Sequence, residues 1–152
     1  MMHIFRAAWS EMIRPIWHRP KRAQVAAVCY RQTTDGKEVL LITSRDTGRW
    51  IVPKGWPIDG LDGAGAARVE AWEEAGVKHA DMVSEPIGFY DYDKGMRGGE
   101  TVPVEASVYL AEVTDLSADY PEAGQRTRKW FAPTEAADLV AEPELKAILR
   151  AL

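Results

Sequence analysis

The sequence predicts an α/β (α+β) domain built on a mixed sheet, and three observations carry that prediction. From Thr101 to Val113, Val102, Val104, Ala106, Val108 and Leu110 alternate with Pro103, Glu105, Ser107, Tyr109 and Ala111. That is the period of a strand with one face turned to a core. Two apolar runs, Gln24–Arg31 and Glu38–Thr43, flank the turn Thr34-Asp35-Gly36 and read as a hairpin. Between Asp62 and Gly76 lies a run of helix formers, with a capping residue at one end and a glycine stop at the other.

Residues 1–22 precede this pattern as a basic N-terminal arm. Trp9, Ile13 and Trp17 recur every four residues, the spacing of a short amphipathic helix, which Pro15 and Pro20 oppose. The expectation is an arm that packs its tryptophans on the body; a membrane-surface or partner-binding element is the alternative. The body, 23–152, opens with the hairpin. Asp46–Gly48 then turns the chain, and Trp50–Val52 is a brief extended piece ended by Pro53. Lys54–Leu61 is a glycine- and proline-rich loop. In the helix that follows, Gly63 and Gly65 occupy the first turn, where a glycine costs about 1 kcal/mol against alanine if it counts as interior. They imply close backbone packing or a loosely formed first turn. Trp72 reads as core. Ile87–Tyr92 reads as a strand and Asp93–Gly99 as a turn-rich connection. After the long strand, a loop over 114–125 leads to a short strand, Arg128–Phe131. Thr134–Val140, with Thr134 as its cap, and Glu144–Leu152 close the chain as helices. Antiparallel hairpins dominate this reading.

The 152 residues suit one domain, and 46% apolar with 28% charged residues excludes a mostly disordered chain. A single cysteine, Cys29, excludes an intrachain disulfide framework and a cysteine-built zinc site. No asparagine is present to accept N-linked glycan, and no apolar run approaches a membrane span. A reducing, cytoplasmic setting is the expectation. The net charge of −4 is unevenly spread: residues 1–22 balance at +4 and residues 23–152 at −8. An acidic body disfavours non-specific nucleic-acid binding. A polyanionic ligand would need cations or local arginines to hold it.

Glu70, Glu73 and Glu74 fall on one side of the predicted helix, one turn apart or adjacent. Three such carboxylates repel, and they stand in the last turn, where the helix dipole disfavours negative charge. Taken alone they read either as a solvated acidic face or as ligands for a hard divalent cation.

The spacing around them resembles the signature of the Nudix hydrolases: glycine, five residues, Glu, seven residues, Arg-Glu, aliphatic, any residue, Glu-Glu, any residue, glycine, aliphatic. Laid from Gly55, the chain matches at Gly55, Glu70, Ala71, Glu73, Glu74, Gly76 and Val77. It departs at Leu61, where the pattern has glutamate, and at Val69, where it has arginine. Cys29-Tyr30-Arg31, Ser44-Arg45, Arg49–Pro53 and Arg128–Phe131 further resemble the diphosphoinositol-polyphosphate and diadenosine-polyphosphate branch. The resemblance covers roughly 24–140. It implies the Nudix fold, a mixed β-sheet sandwiched between α-helices.

The resemblance also implies a chemistry. Glu70, Glu73, Glu74 and the backbone carbonyl of Gly55 would hold Mg²⁺, with Mn²⁺ as a substitute. Water would attack phosphorus in a phosphoanhydride of a small, phosphate-rich substrate, a dinucleoside polyphosphate or an inositol pyrophosphate. Metal brought to the site would explain how a body of charge −8 binds a polyanion. Arg45, Arg49, Lys54, Arg126, Arg128 and Lys129 are the local cations for phosphates, arginine suiting bidentate contacts. Trp56 either stacks a base or caps the core. The general base is Glu70 or a carboxylate outside the signature, Glu105 being one candidate. His3, His18 and His79 lack ligand spacing, and Cys29 reads as a small buried residue.

A housecleaning nucleotide or nucleotide-sugar pyrophosphatase is the alternative enzyme. The alternative of another class is a Nudix-fold binding or regulatory module without activity, suggested by Leu61 and Val69. Those two are also expected to replace an ion pair by an apolar contact, so that single polar reversions destabilise if the site is buried.

Overall fold

The computed structural model describes residues 20–152. The arm reading therefore lies, through residue 19, outside the described residues. The strands are β1 (Arg22–Thr33), β2 (Gly36–Thr43), β3 (Trp50–Ile51), β4 (Lys54–Gly55), β5 (Val77–Met82), β6 (Gly88–Gly95), β7 (Thr101–Leu116) and β8 (Arg128–Phe131). The helices are α1 (Gly63–Ala75), α2 (Pro133–Leu139) and α3 (Pro143–Arg150).

One mixed sheet runs β3-β2-β1-β7-β5, with β4 added to β1, β6 to β7 and β8 to β2. Its spine is the parallel pair β1/β7, in register from Arg22↔Val104 to Tyr30↔Glu112. Every other pairing is antiparallel. The predicted dominance of hairpins thus holds for the periphery, while the centre is a long-range parallel crossover.

Two cores flank the sheet. Under α1 lie Val25, Ala27, Cys29, Leu40, Ile42, Tyr109, Ala111 and Val113. Under α2 and α3 lie Ala26, Val28, Val39, Leu41, Ala106 and Val108, met by Leu145 and Leu149 of α3. The alternation read in β7 is correct up to Val108. Beyond it burial passes to Tyr109, Ala111 and Val113 on the face under α1, while Leu110 on the opposite face is half-buried, because helices cover both faces of a central strand.

The helix in the middle of the chain forms as the sequence indicates. The Asp62 carboxylate accepts from the Gly65 amide at 2.8 Å, and Gly76 ends the helix at φ 70°, a left-handed conformation. Its buried face is mostly alanine, at positions 64, 66, 67, 71 and 75, which lets the backbone settle close to the sheet. Gly63 belongs to the same design, since a methyl there would overlap the Tyr109 ring and hydroxyl. Close packing, not a loose first turn, explains that glycine.

Four local expectations change. Lys54–Gly55, read as loop, pairs with Ala26 and Val25 as β4. Strand β5 was hidden by its polar residues and by register shifts around His79, features of an edge strand. Thr134 does not cap α2; Ala132 holds the cap position, and Pro133, with its preset φ, starts the helix. Trp72 is half-buried and belongs to neither core, because it sits beside the glutamates on the outer flank of α1.

Gly63→Ala is expected to destabilise the fold by about 1–3 kcal/mol, the overpacking cost exceeding the gain in helix propensity. Urea titration of this variant, alone and with Tyr109→Phe, measures it; a stabilised Gly63→Ala would show that the Tyr109 ring yields.

Candidate active site

Past Tyr30↔Val39, β2 separates from β1 and pairs with β3 and β8, while β4 takes its place along β1. The divergence opens a cleft of about 360 Å³. One wall is Ser44, Arg45 and Asp46 after β2, and another is Lys54, Gly55 and Trp56. Glu70 and Glu74 of α1 form a third, and Gln24, Ile51, Tyr92, Lys94, Glu122 and Arg126 complete the lining.

The carboxylates are held by backbone and by one guanidinium. Glu74, 8% exposed, accepts the Lys54 amide at 3.1 Å, which fastens α1 to β4. Its other oxygen lies 3.5 Å from Arg126. Burial raises the Glu74 carboxyl above its ordinary range and Arg126 opposes that rise. Glu70 lies directly over the α-carbon of Gly55, where a side chain would collide with its carboxyl group. Burial, then the charges of Glu74 and Glu73, push Glu70 up to about 7. Glu73 is half-buried beside the cleft and is not part of its lining; its carbonyl accepts the Glu122 amide at 3.0 Å.

The predicted cations divide into two groups. Arg45, Lys54 and Arg126 line the cleft. Arg45 reaches Glu122 at 3.4 Å and Gln125 at 3.1 Å. Arg126, whose side chain is 7% exposed, bridges Glu74 and Glu122 and donates to the Thr43 carbonyl at 3.1 Å. The Lys54 ammonium sits 5.1 Å from the Tyr92 ring centre, and burial lowers it to about 8. Arg49 and Arg128 stand outside the lining. Arg49 pairs with buried Glu142 at 3.0 Å. Arg128 donates to the Ala75 carbonyl at 2.8 Å and lies over Tyr120, so a cation from β8 faces the carboxy end of a helix with no basic residue in its own last turn. Lys129 lies over Phe131.

Sequence reasoning missed Glu122, Lys94 and the Tyr92–Gln24 hydrogen bond. For Glu122 the available signal was an acid four residues before Arg126, a pair that meets at 3.1 Å. Glu105 is exposed on β7 and does not line the cleft.

Oxygen donors of this kind suit Mg²⁺. Among the described residues no three acidic, imidazole or thiol side chains converge as a finished metal cage. Mg²⁺ does not require one, since it binds through one or two carboxylates with the rest of its shell from water and phosphate. Glu70 pressed against Gly55, with Glu74 beside it, fits that need.

A model of the NUDIX domain matches residues 20–152. This chain belongs to the Nudix family. This Nudix domain is 29% identical over 117 residues to human diphosphoinositol polyphosphate phosphohydrolase 3-beta, covering 76% of this chain and 66% of the relative. It is 34% identical over 116 residues to Nudix hydrolase 16, mitochondrial, of Arabidopsis thaliana, covering 74% and 63%. The chain thus spans just under two-thirds of the length of these relatives. Among solved structures it resembles a C. elegans Ap4A hydrolase, with a TM-score of 0.64 at 22% identity, covering 86% and 95% of the two chains. It also resembles the E. coli dihydroneopterin triphosphate pyrophosphohydrolase, with a TM-score of 0.65 at 16% identity, covering 88% and 97%. These likenesses establish the Nudix fold, with the mixed sheet between helices.

The two departures from the Nudix signature are differently placed. Leu61 is 47% exposed, so the burial that would make polar reversion costly is absent there; Val69 is half-buried on α1. Leu61→Glu is therefore expected to change stability by no more than about 0.5 kcal/mol. A loss of several kcal/mol in denaturant titration would mean that Leu61 is packed.

A carboxyl with a raised folded pKa binds its proton more tightly in the folded chain. Its contribution to stability is complete below its ordinary value of 4.5 and is lost as pH rises through about 7. Chelator-treated protein should lose stability over that window, and Glu70→Gln should flatten the loss. Identical melting-temperature profiles for the two proteins would show that burial and the neighbouring charges do not raise Glu70.

Proposed function

We propose that this chain is a Mg²⁺-dependent pyrophosphohydrolase that cleaves a phosphoanhydride bond of a small, phosphate-rich substrate. The observation that carries the reading is one cleft in which Glu70, Glu74 and Glu122 face Arg45, Lys54 and Arg126. The names of the relatives support the chemistry: phosphohydrolase for the human protein, Ap4A hydrolase for the C. elegans structure.

Glu70, Glu74 and the carbonyl of Gly55 would hold the divalent ion, with Glu73 adjoining. Such an ion supplies neutralisation of phosphate oxygens and acidifies attacking water. Glu70 or Glu122 would take the proton of the attacking water. Attack forms a new P–O bond, the anhydride P–O bond breaks, and the departing phosphate keeps the electron pair. Arg45 and Lys54 orient the phosphate chain. Arg126 stays with Glu74 and Glu122 and keeps their charge from expelling the substrate. Cytoplasmic residence belongs to the same proposal. The described residues contain no helix long and apolar enough to cross a membrane.

Glu74→Gln should lower turnover at least about a hundredfold at saturating Mg²⁺, because an electrostatic site loses a charge at nearly constant shape. Wild-type protein should also gain melting temperature on adding millimolar Mg²⁺. Turnover of the variant within threefold of wild type would sink the metal assignment; an unchanged melting temperature would favour the inactive module.

A further inference from the structure

Two apolar features of the chain are not absorbed by the site or by the core. One is a groove of about 500 Å³ between α3 and the sheet, lined by Ile87, Leu110, Ile148, Ala151 and Leu152 and apolar apart from Lys37. It shares no residue with the cleft. Its walls are fixed. Gly88 lets Ile148 lie against the β6 backbone, where a methyl would come within 2.9 Å of that side chain. Leu110, Ile148 and Leu152 pack on the core beneath α2 and α3, while Ile87 at the rim is 41% exposed. The other feature is in the arm sequence. Phe5, Trp9, Met12, Ile13, Ile16 and Trp17 recur at intervals of three and four, with Ser10, Glu11, Arg14 and His18 between them.

The place where the arm joins the body connects the two. Lys21 pairs with Asp91 of β6 at 2.9 Å, and Glu105 and Glu144 also act on its ammonium. Glu144 stands in the first turn of α3 and accepts the Asp91 amide at 2.9 Å. The arm therefore meets the body at the start of α3, and the groove lies at the other end of that helix. From Glu144 to Leu152 is eight residues, about 12 Å at helical rise. From Trp9 to Trp17 is the same number, and a more extended arm reaches further, so the span is met in either conformation. Charge agrees with length: residues 1–22 balance at +4, the body at −8, and the entry point is acidic.

We propose that the arm docks back along α3, with Trp9, Ile13 and Trp17 covering the groove at Ile87, Ile148 and Leu152. The groove is then a binding site for a segment of its own chain. Attachment through four residues to Lys21 gives that segment a local concentration of about the millimolar order, which a free second copy does not reach. A membrane-surface element needs its basic residues turned to anionic headgroups, and Lys21 is already committed to Asp91.

The test uses the full chain, with cysteine placed at Trp9, Ile13 or Trp17 in turn and paired with Ile87→Cys. Cys29 is fully buried and does not compete. A disulfide needs its α-carbons within about 7 Å. At least one pair should close an intrachain disulfide under mild oxidation, read by mass and thiol count, at least about tenfold faster than the same arm cysteine paired with Leu61→Cys. Leu61 is as exposed as Ile87 and lies beside the start of α1, over the other core. Equal rates for the two partners would overturn the proposal. So would disulfide-linked dimers in place of the intrachain bond, which would assign the groove to a second copy. Sedimentation of the wild type with phosphatidylserine vesicles would assign the stripe to a membrane surface and overturn it as well. Hydrogen exchange reads the contact without new cysteines: Trp9→Ser with Trp17→Ser should speed exchange at Ile148–Leu152 at least about threefold and leave α1 unchanged. Unchanged exchange at Ile148–Leu152 would mean that the arm does not cover the groove.

Discussion

The Lys54 amide donating to the Glu74 carboxylate is the bond on which the site depends. It ties the carboxy end of α1 to the short strand β4, and β4 is stitched to β1 at the sheet's centre. Negative charge at a helix's carboxy end opposes the dipole, so α1 needs compensation there. The compensation comes from elsewhere in the chain: a backbone N–H from β4, the guanidinium of Arg126, and Arg128 on the carbonyl of Ala75. Removing one member of a buried charged set leaves the others uncompensated, at a cost of about 3–5 kcal/mol in comparable cases. Helix, strand and the segment leading into β8 are therefore locked together by the same charges that line the cleft.

In the family pattern an arginine precedes Glu70. Here the helix carries no cation at that position, while Arg126 reaches the acids from outside the signature. The cleft has its walls because β2 leaves β1, and Gln24 and Tyr92 in its lining satisfy each other by a hydrogen bond. Glu142, buried against Arg49, extends the polar layer towards α3.

Much of this was legible in the sequence where a local rule had no competitor. Asp62 and Gly76 mark α1, and period-two alternation marks β7. The spacing from Gly55 to Val77 gave the family and three of the acids. What sequence could not supply was assembled across distance. Glu122 enters the cleft on a loop whose path follows from β7 and β8, not from its own residues. Arg49, Arg126 and Arg128 look equivalent as strand-end charges, and only tertiary pairing separates a helix-end cation from a cleft one. Lys54–Gly55 reads as loop because two residues carry no period; β1 recruits them. Strand β5 is polar because it lies at an edge, and polarity there is what conceals it.

The parallel β1/β7 spine has a consequence for how the chain acquires its shape during synthesis. Tyr30 and Glu112 touch across 82 residues, so the central ladder cannot close until most of the polypeptide has emerged. At roughly 5–20 residues per second, β1 waits several seconds with its apolar edge unsatisfied. The pairings with β2 and β4 shelter its other edge meanwhile, and loop closure of that length slows folding further. A nascent chain of this kind spends its most vulnerable interval before β7 leaves the ribosome, and truncation anywhere upstream of β7 yields a product with an open sheet and a strong tendency to associate.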